Sequence, residues 1–142
     1  MTRADVGYLL AKASQRWNEL VVARFAAEGF PEVRPSYGSV LVPLYEEDGL
    51  RMGEVGRRAR LSKQTITHLV RATERDGLVV RAADEHDSRA TRVWLTDKAR
   101  RFEPVAARVL GQVEQVAAGA LGEDSVEVLR RVLAVLSDLD RT

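Results

Sequence analysis

The sequence predicts a mainly α fold of the α+β kind, in which helices flank a single β-hairpin. Three observations carry that expectation. Apolar residues recur at three- and four-residue spacings in several stretches of the 142-residue chain, and two short β-branched and apolar runs lie close together after residue 77. Charge is also uneven: Gly49 to Arg101 holds 13 Lys or Arg against 7 Asp or Glu, while the rest holds 9 against 14. A basic centre between acidic flanks is the footprint of a nucleic-acid partner, although a solvated surface would show the same clustering.

From Asp5 to about Glu28, Val6, Leu9, Leu10, Ala13, Trp17, Leu20, Val21 and Phe25 mark a long amphipathic helix that Gly29-Phe30-Pro31 ends. Ser36 opens a second helix through Tyr37, Val40, Leu41, Leu44 and Tyr45, stopped by Glu46-Glu47-Asp48-Gly49. Pro43 lies inside it and cannot donate to the carbonyl of Ser39, which predicts a kink or an early break. Leu50 to Arg60 reads as a short helix with Met52, Val55 and Ala59 on one face. After the Leu61-Ser62 turn, with Ser62 as N-cap, a further short helix places Ile66, Leu69, Val70 and Thr73 inward and stops at Gly77.

Leu78-Val79-Val80-Arg81 and Thr91-Arg92-Val93-Trp94-Leu95 form the expected hairpin, joined by the polar stretch Ala82 to Ala90. Thr96 caps a long helix carrying Phe102, Val105, Val109, Val113, Val116 and Ala120, and Gly122 breaks it. A last helix from Asp124 stripes Val126, Leu129, Leu133, Leu136 and Leu139, widened by Val132 and Val135. The apolar faces of the terminal helices exceed what a small central module covers, so a second copy of the chain is the expected partner; an intramolecular bundle is the alternative.

Two short helices followed by a hairpin describe a winged helix-turn-helix, whose second helix enters the major groove. With Ile66, Leu69 and Val70 inward, Lys63, Gln64, Thr65, Thr67, His68 and Arg71 face outward beside the capping Ser62, a set able to read base edges and bind phosphates. A winged-helix module that binds another protein is the competing reading, but it calls for apolar anchors on that face.

The run Leu61-Ser62-Lys63-Gln64-Thr65-Ile66-Thr67-His68-Leu69-Val70 is followed by Asp76-Gly77-Leu78-Val79-Val80-Arg81. Then come Asp84, Asp87 and Arg89, and Leu95-Thr96 leading into a long helix. Together these residues resemble the MarR family of winged helix-turn-helix transcriptional regulators over nearly the whole chain. The resemblance implies one domain spanning residues 1–142, with a helical dimerisation region at 5–30 and 97–142 and a DNA-binding lobe at 36–96. It implies a homodimer on a pseudo-palindromic operator in double-stranded DNA, most simply a repressor, with Arg89 reaching the minor groove and Asp87 shaping the wing; that the protein is cytoplasmic is expected separately, from the lack of a long apolar stretch. A mutual surface ion pair is the alternative role for Asp87 and Arg89. Many relatives answer to small aromatic ligands, and Trp17, Tyr37 and Tyr45 could line such a pocket or equally fill the core near Pro43. Where the family often has a glycine between its paired helices this chain has Arg60, so the turn takes either another conformation or left-handed strain.

Other classes are disfavoured. The chain has no cysteine, and its two histidines, His68 and His86, are too few for a conventional zinc site, so no metal or cofactor is expected. There is no glycine-rich phosphate loop, G-x-S-x-G elbow or H-E-x-x-H, so no enzyme is expected. No apolar stretch approaches the roughly 20 residues a membrane span needs.

Overall fold

The structure, a computed structural model, describes residues 1–141. Among them the elements run α1 (Val6–Ala27), a 3-10 turn (Pro35–Tyr37), α2 (Gly38–Glu46), β1 (Leu50–Arg51), α3 (Met52–Ala59), α4 (Lys63–Arg75), β2 (Val79–Ala83), β3 (Thr91–Leu95), α5 (Asp97–Leu121) and α6 (Glu123–Leu136).

Helix ends follow local chemistry. The Ser62 hydroxyl accepts the Thr65 N–H at 3.1 Å and the Thr96 hydroxyl accepts the Ala99 N–H at 3.2 Å, so α4 and α5 both begin on side-chain caps. At the end of α4, Gly77 takes φ +79° and the Leu78 N–H returns to the Thr73 carbonyl at 2.9 Å, closing the last turn. The end of α3 is built the same way, with the Leu61 N–H on the Gly56 carbonyl, but a non-glycine occupies the left-handed position: Arg60 has φ 56° and ψ 40°. Of the two conformations open to that turn, the chain adopts the strained one.

Two expectations are corrected. Leu50 and Arg51 do not begin a helix. They form a short strand whose register sets Leu50 against Val93 and Arg51 against Arg92, completing a three-stranded antiparallel sheet ordered β1-β3-β2. Arg51 stays extended as the N-cap of α3, and buried Leu50 points into the core, so tertiary pairing overrides the helical spacing. Pro43 does not break α2 either, since the helix continues to Glu46 with Pro43 buried inside it. The hairpin also runs two residues further than expected, to Ala83 paired with Thr91.

One core joins the central lobe to the C-terminal part of α1 and the first two thirds of α5. Val21 and Phe25 of α1, Val40, Leu41 and Leu44 of α2, Val55, Ile66 and Val70 of the paired helices, Val79, Val93 and Leu95 of the sheet, and Phe102, Val109 and Val113 of α5 are buried together. Phe102 packs edge-on against Phe25 and Phe30, with centroids 4.8 and 5.0 Å apart, fixing α5 across α1. Gly56 lets α3 and α4 close up, since a Cβ there would sit 3.2 Å from Ile66 Cγ2. The first turns of α1 and the whole of α6 lie outside this core. No residue of α6 is buried, and Val128, Val132, Leu133 and Val135 are 43–66% exposed. Among the described residues no helix is long and apolar enough to cross a membrane.

Candidate nucleic-acid interface

Ile66, Val70 and Thr73 anchor α4 in the core and so turn the opposite side to solvent. Lys63, Gln64, His68 and Arg71 are exposed there, and among the described residues their side chains make no hydrogen bond. The rest of the expected outward set is partly committed. Thr65 accepts a bond from the Ser62 hydroxyl at 2.9 Å, and half-buried Thr67 donates to the Lys63 carbonyl at 2.7 Å. Thr67 is thereby drawn back onto its own helix, a habit of threonine that outward spacing cannot reveal.

Charge pairing sharpens the picture. Within the basic segment Gly49 to Arg101, most cations face a carboxylate: Arg57 and Arg58 meet Glu54, Arg81 meets Glu74, Arg100 meets Asp48, and Arg51 and Arg92 meet Asp84. The two arginines hold the Glu54 carboxyl down to about 2. Among the described residues only Lys63, Arg71 and Arg101 of that segment lack such a partner, and the first two share the outward face of α4.

The wing is organised by a residue whose role the sequence did not disclose. The Asp84 side chain is fully buried at the base of the loop. One oxygen accepts the N–H groups of His86 and Asp87 at 2.8 and 3.1 Å, and the other meets Arg51 at 3.1 Å and Arg92 at 2.7 Å. The His86 backbone bond, followed by Arg92, holds this carboxyl at about 2. Asp87 has a smaller part: its Oδ1 accepts the backbone N–H of Arg89 at 3.1 Å and its guanidinium at 3.3 Å. The Arg89 side chain, 91% exposed, projects from the loop, and His86 is exposed beside it.

Asp48 ties the sheet to the start of α5: its Oδ1 accepts the Leu95 N–H at 2.9 Å and its Oδ2 meets Arg100 at 2.7 Å, while Arg92 reaches the Gly49 carbonyl at 2.7 Å. Gly49 has φ +70°, and a Cβ there would fall 2.4 Å from Trp94 Cη2, so the indole occupies the space any side chain would take. Neither Asp48 nor Gly49 carries a sequence signal beyond that of a helix stop.

The three aromatic candidates lie in or against the core, each held differently. Tyr37 is buried, and its hydroxyl donates to Asp76 Oδ2; burial first, and then Asp76, raise its pKa. Tyr45 donates to the Ala99 carbonyl at 2.6 Å and burial pushes it up to about 12. Trp17 is half-buried against the core. Two surface clefts lie elsewhere, one on α1 along Gln15, Asn18, Glu19, Val22 and Ala23, the other on α6 along Val128, Arg131, Val132, Val135 and Leu136.

Residues 33–90 match the family model described as MarR family. The chain is 44% identical over 61 residues to the HTH-type transcriptional regulator TtmR of Methylorubrum extorquens, covering 43% of this chain and 31% of that protein. Of two curated relatives it matches, the chain spans 31% and 59% of the length. Among solved structures it is similar to the PcaV transcriptional regulator from Streptomyces coelicolor in complex with its natural ligand, with a TM-score of 0.81, 24% identity, and 99% and 98% of the two chains covered. It is also similar to the transcriptional repressor CouR, of Rhodococcus jostii RHA1, bound to a 23-mer DNA duplex, with a TM-score of 0.80, 25% identity, and 96% and 98% covered.

Proposed function

We propose that the chain, whose residues 33–90 match the family model described as MarR family, is a sequence-specific transcriptional regulator of that family that binds a pseudo-palindromic operator as a homodimer. The observation that carries this reading is the placement of cations: Lys63 and Arg71 stand with Gln64 and His68 on the exposed face of α4, and among the described residues their side chains meet no carboxylate or hydrogen-bond acceptor. Ser62, Thr65 and Thr67 border that face. In the major groove such a helix gives phosphate contacts from Lys63 and Arg71 and base-edge contacts from Gln64 and His68. Arg89, held by Asp87, enters the adjacent minor groove, where a guanidinium suits the narrow, electronegative floor. The exposed apolar face of α6 and the first turns of α1 supply the surface for a second copy, in keeping with a helical dimerisation region at 5–30 and 97–142 around a DNA-binding lobe at 36–96.

The regulator acts as a repressor released by a small aromatic ligand. That part draws on relatives alone: PcaV is solved with its natural ligand, and CouR both on DNA and with p-coumaroyl-CoA. Of the three aromatic candidates Trp17 and Tyr45 are half-buried and Tyr37 is buried, and both tyrosine hydroxyls are engaged, so the tyrosines would meet such a ligand through their rings.

Selection of duplexes from a random pool, followed by footprinting, tests the reading. The expected product is one motif with half-site centres about 10 base pairs apart. A monomer at micromolar concentration, or retention of random sequence without enrichment, would overturn it. Selective capture of a protein partner by the α4 face, with no DNA preference, would favour the protein-interaction module instead.

A further inference from the structure

We propose that Tyr37, Asp76, Lys98 and Glu32 form the joint that sets the angle of the recognition helix α4 against α5, making Tyr37 and Lys98 positioning residues for DNA reading. The inference rests on the DNA-binding reading above and assigns work to residues that touch no DNA.

Asp76 caps the C-terminal end of α4 and is gripped from separate parts of the chain. The buried Tyr37 hydroxyl, from the 3-10 turn before α2, donates to its Oδ2. Lys98, in the first turn of α5, donates to its backbone carbonyl at 2.8 Å and continues to Glu32, on the segment after α1, at 2.6 Å. One residue on, the Thr96 hydroxyl donates to the Gly77 carbonyl at 2.6 Å. The last carbonyls of a helix lack internal donors and carry partial negative charge, so an ammonium there is held both as hydrogen-bond donor and as countercharge.

Toward its opposite end α4 is held by the apolar packing of Ile66 against Gly56 and capped by exposed Ser62, with no polar grip from a distant segment among the described residues, and it is this end that reaches base edges. The helix has 13 residues and so measures about 20 Å. A tilt of roughly 3° about the Asp76 end therefore moves the reading end by about 1 Å, enough to spoil hydrogen bonds whose useful range is only about 0.5 Å. Tyr37 and Lys98 limit that tilt, and through α5 the angle of each recognition helix is referred to the apolar helices at the far end of the chain.

The test uses the full chain with Tyr37→Phe, which keeps the buried ring and removes only the O–H, and Lys98→Met, with Arg71→Ala for comparison. Binding to the selected duplex is measured across salt concentrations. Tyr37→Phe should weaken binding five- to tenfold and narrow the discrimination between the selected duplex and single-base variants. Its slope of log K against log salt should match wild type, because no phosphate contact is lost, whereas Arg71→Ala should flatten that slope. A DNA-independent arm exploits the cysteine-free sequence: nitroxides on Gln64→Cys and Arg101→Cys, diluted with unlabelled protein, should show a broader distance distribution in Tyr37→Phe than in the parent. Wild-type affinity and an unchanged distance distribution would overturn the joint while leaving the DNA reading standing. A parent protein that selects no duplex would overturn that reading, and the joint with it. A loss of affinity matched by unfolding at the assay temperature would reduce Tyr37 to a stability residue and refute the positioning role.

Discussion

Arg89→Ala tests the wing most sharply, because its expected effects on folding and on DNA binding separate. The side chain is 91% exposed and its one ion pair, with Asp87 at 3.3 Å, is a surface pair. Its removal should change stability by no more than about 0.5 kcal/mol, and the melting temperature by about 2 °C or less. On DNA the arithmetic differs. Each wing that loses a cation forfeits about 0.9 from the slope of log K against log salt, so a dimer on two half-sites loses about 1.8. If the guanidinium is desolvated in the groove, affinity falls by a further 1–3 kcal/mol or so per wing. The assay is a salt titration of wild type and variant on one operator duplex, with melting curves in parallel. An unchanged slope with unchanged affinity would leave Arg89 a mere partner of Asp87, and a melting temperature lowered by many degrees would make it structural.

Three further outcomes follow from the geometry. Gly49→Ala has to accommodate φ +70° and displace the Trp94 indole, which should cost about 2–4 kcal/mol and shift Trp94 emission to the red; a neutral melting temperature would refute that packing. Arg60→Gly relieves a left-handed residue at about 1–2 kcal/mol while losing an exposed pair with Asp138 worth about 1 kcal/mol at most, so thermal melting should show slight stabilisation; destabilisation would mean the Asp138 contact outweighs the strain. The Asp84 carboxyl sits at about 2 instead of its ordinary 3.8, so its contribution to folding is complete above the ordinary value and disappears as pH falls through the lower one. Trp94 emission in a Trp17→Phe background should therefore hold to about pH 3 and change below it, and Asp84→Asn should abolish that acid step.

The long helices were legible because each keeps its apolar spacing over many turns, and the ends of α4 and α5 because Ser62, Gly77 and Thr96 carry their local geometry in their chemistry. β1 was not, since two residues are too few to show alternation and Leu50 fits a helical stripe equally well. Within the site, spacing alone pointed outward for Lys63, Gln64, His68 and Arg71. It gave Thr67 the same rank, because a threonine that bonds its own helix looks in sequence like one that faces water. The wing motif contained Asp84, yet that it, more than Asp87, gathers the loop depends on burial created where β1 meets β3, far apart in the chain, with Arg51 set against Arg92. Tyr37 read as a pocket residue for the same reason: its partner, Asp76, lies 39 positions away.

The burial of Asp84 bears on the thermodynamics of association. Because its oxygens are already bound to two backbone amides and two guanidiniums, the wing is folded before any duplex arrives. Loops that order only on contact lose conformational freedom at that moment and show the heat-capacity signature of coupled folding. Here that entropy is already lost when the chain folds. On the proposed reading the wing would enter the groove as a preformed loop, and the temperature dependence of its contribution would reflect displaced water and ions instead of a folding transition.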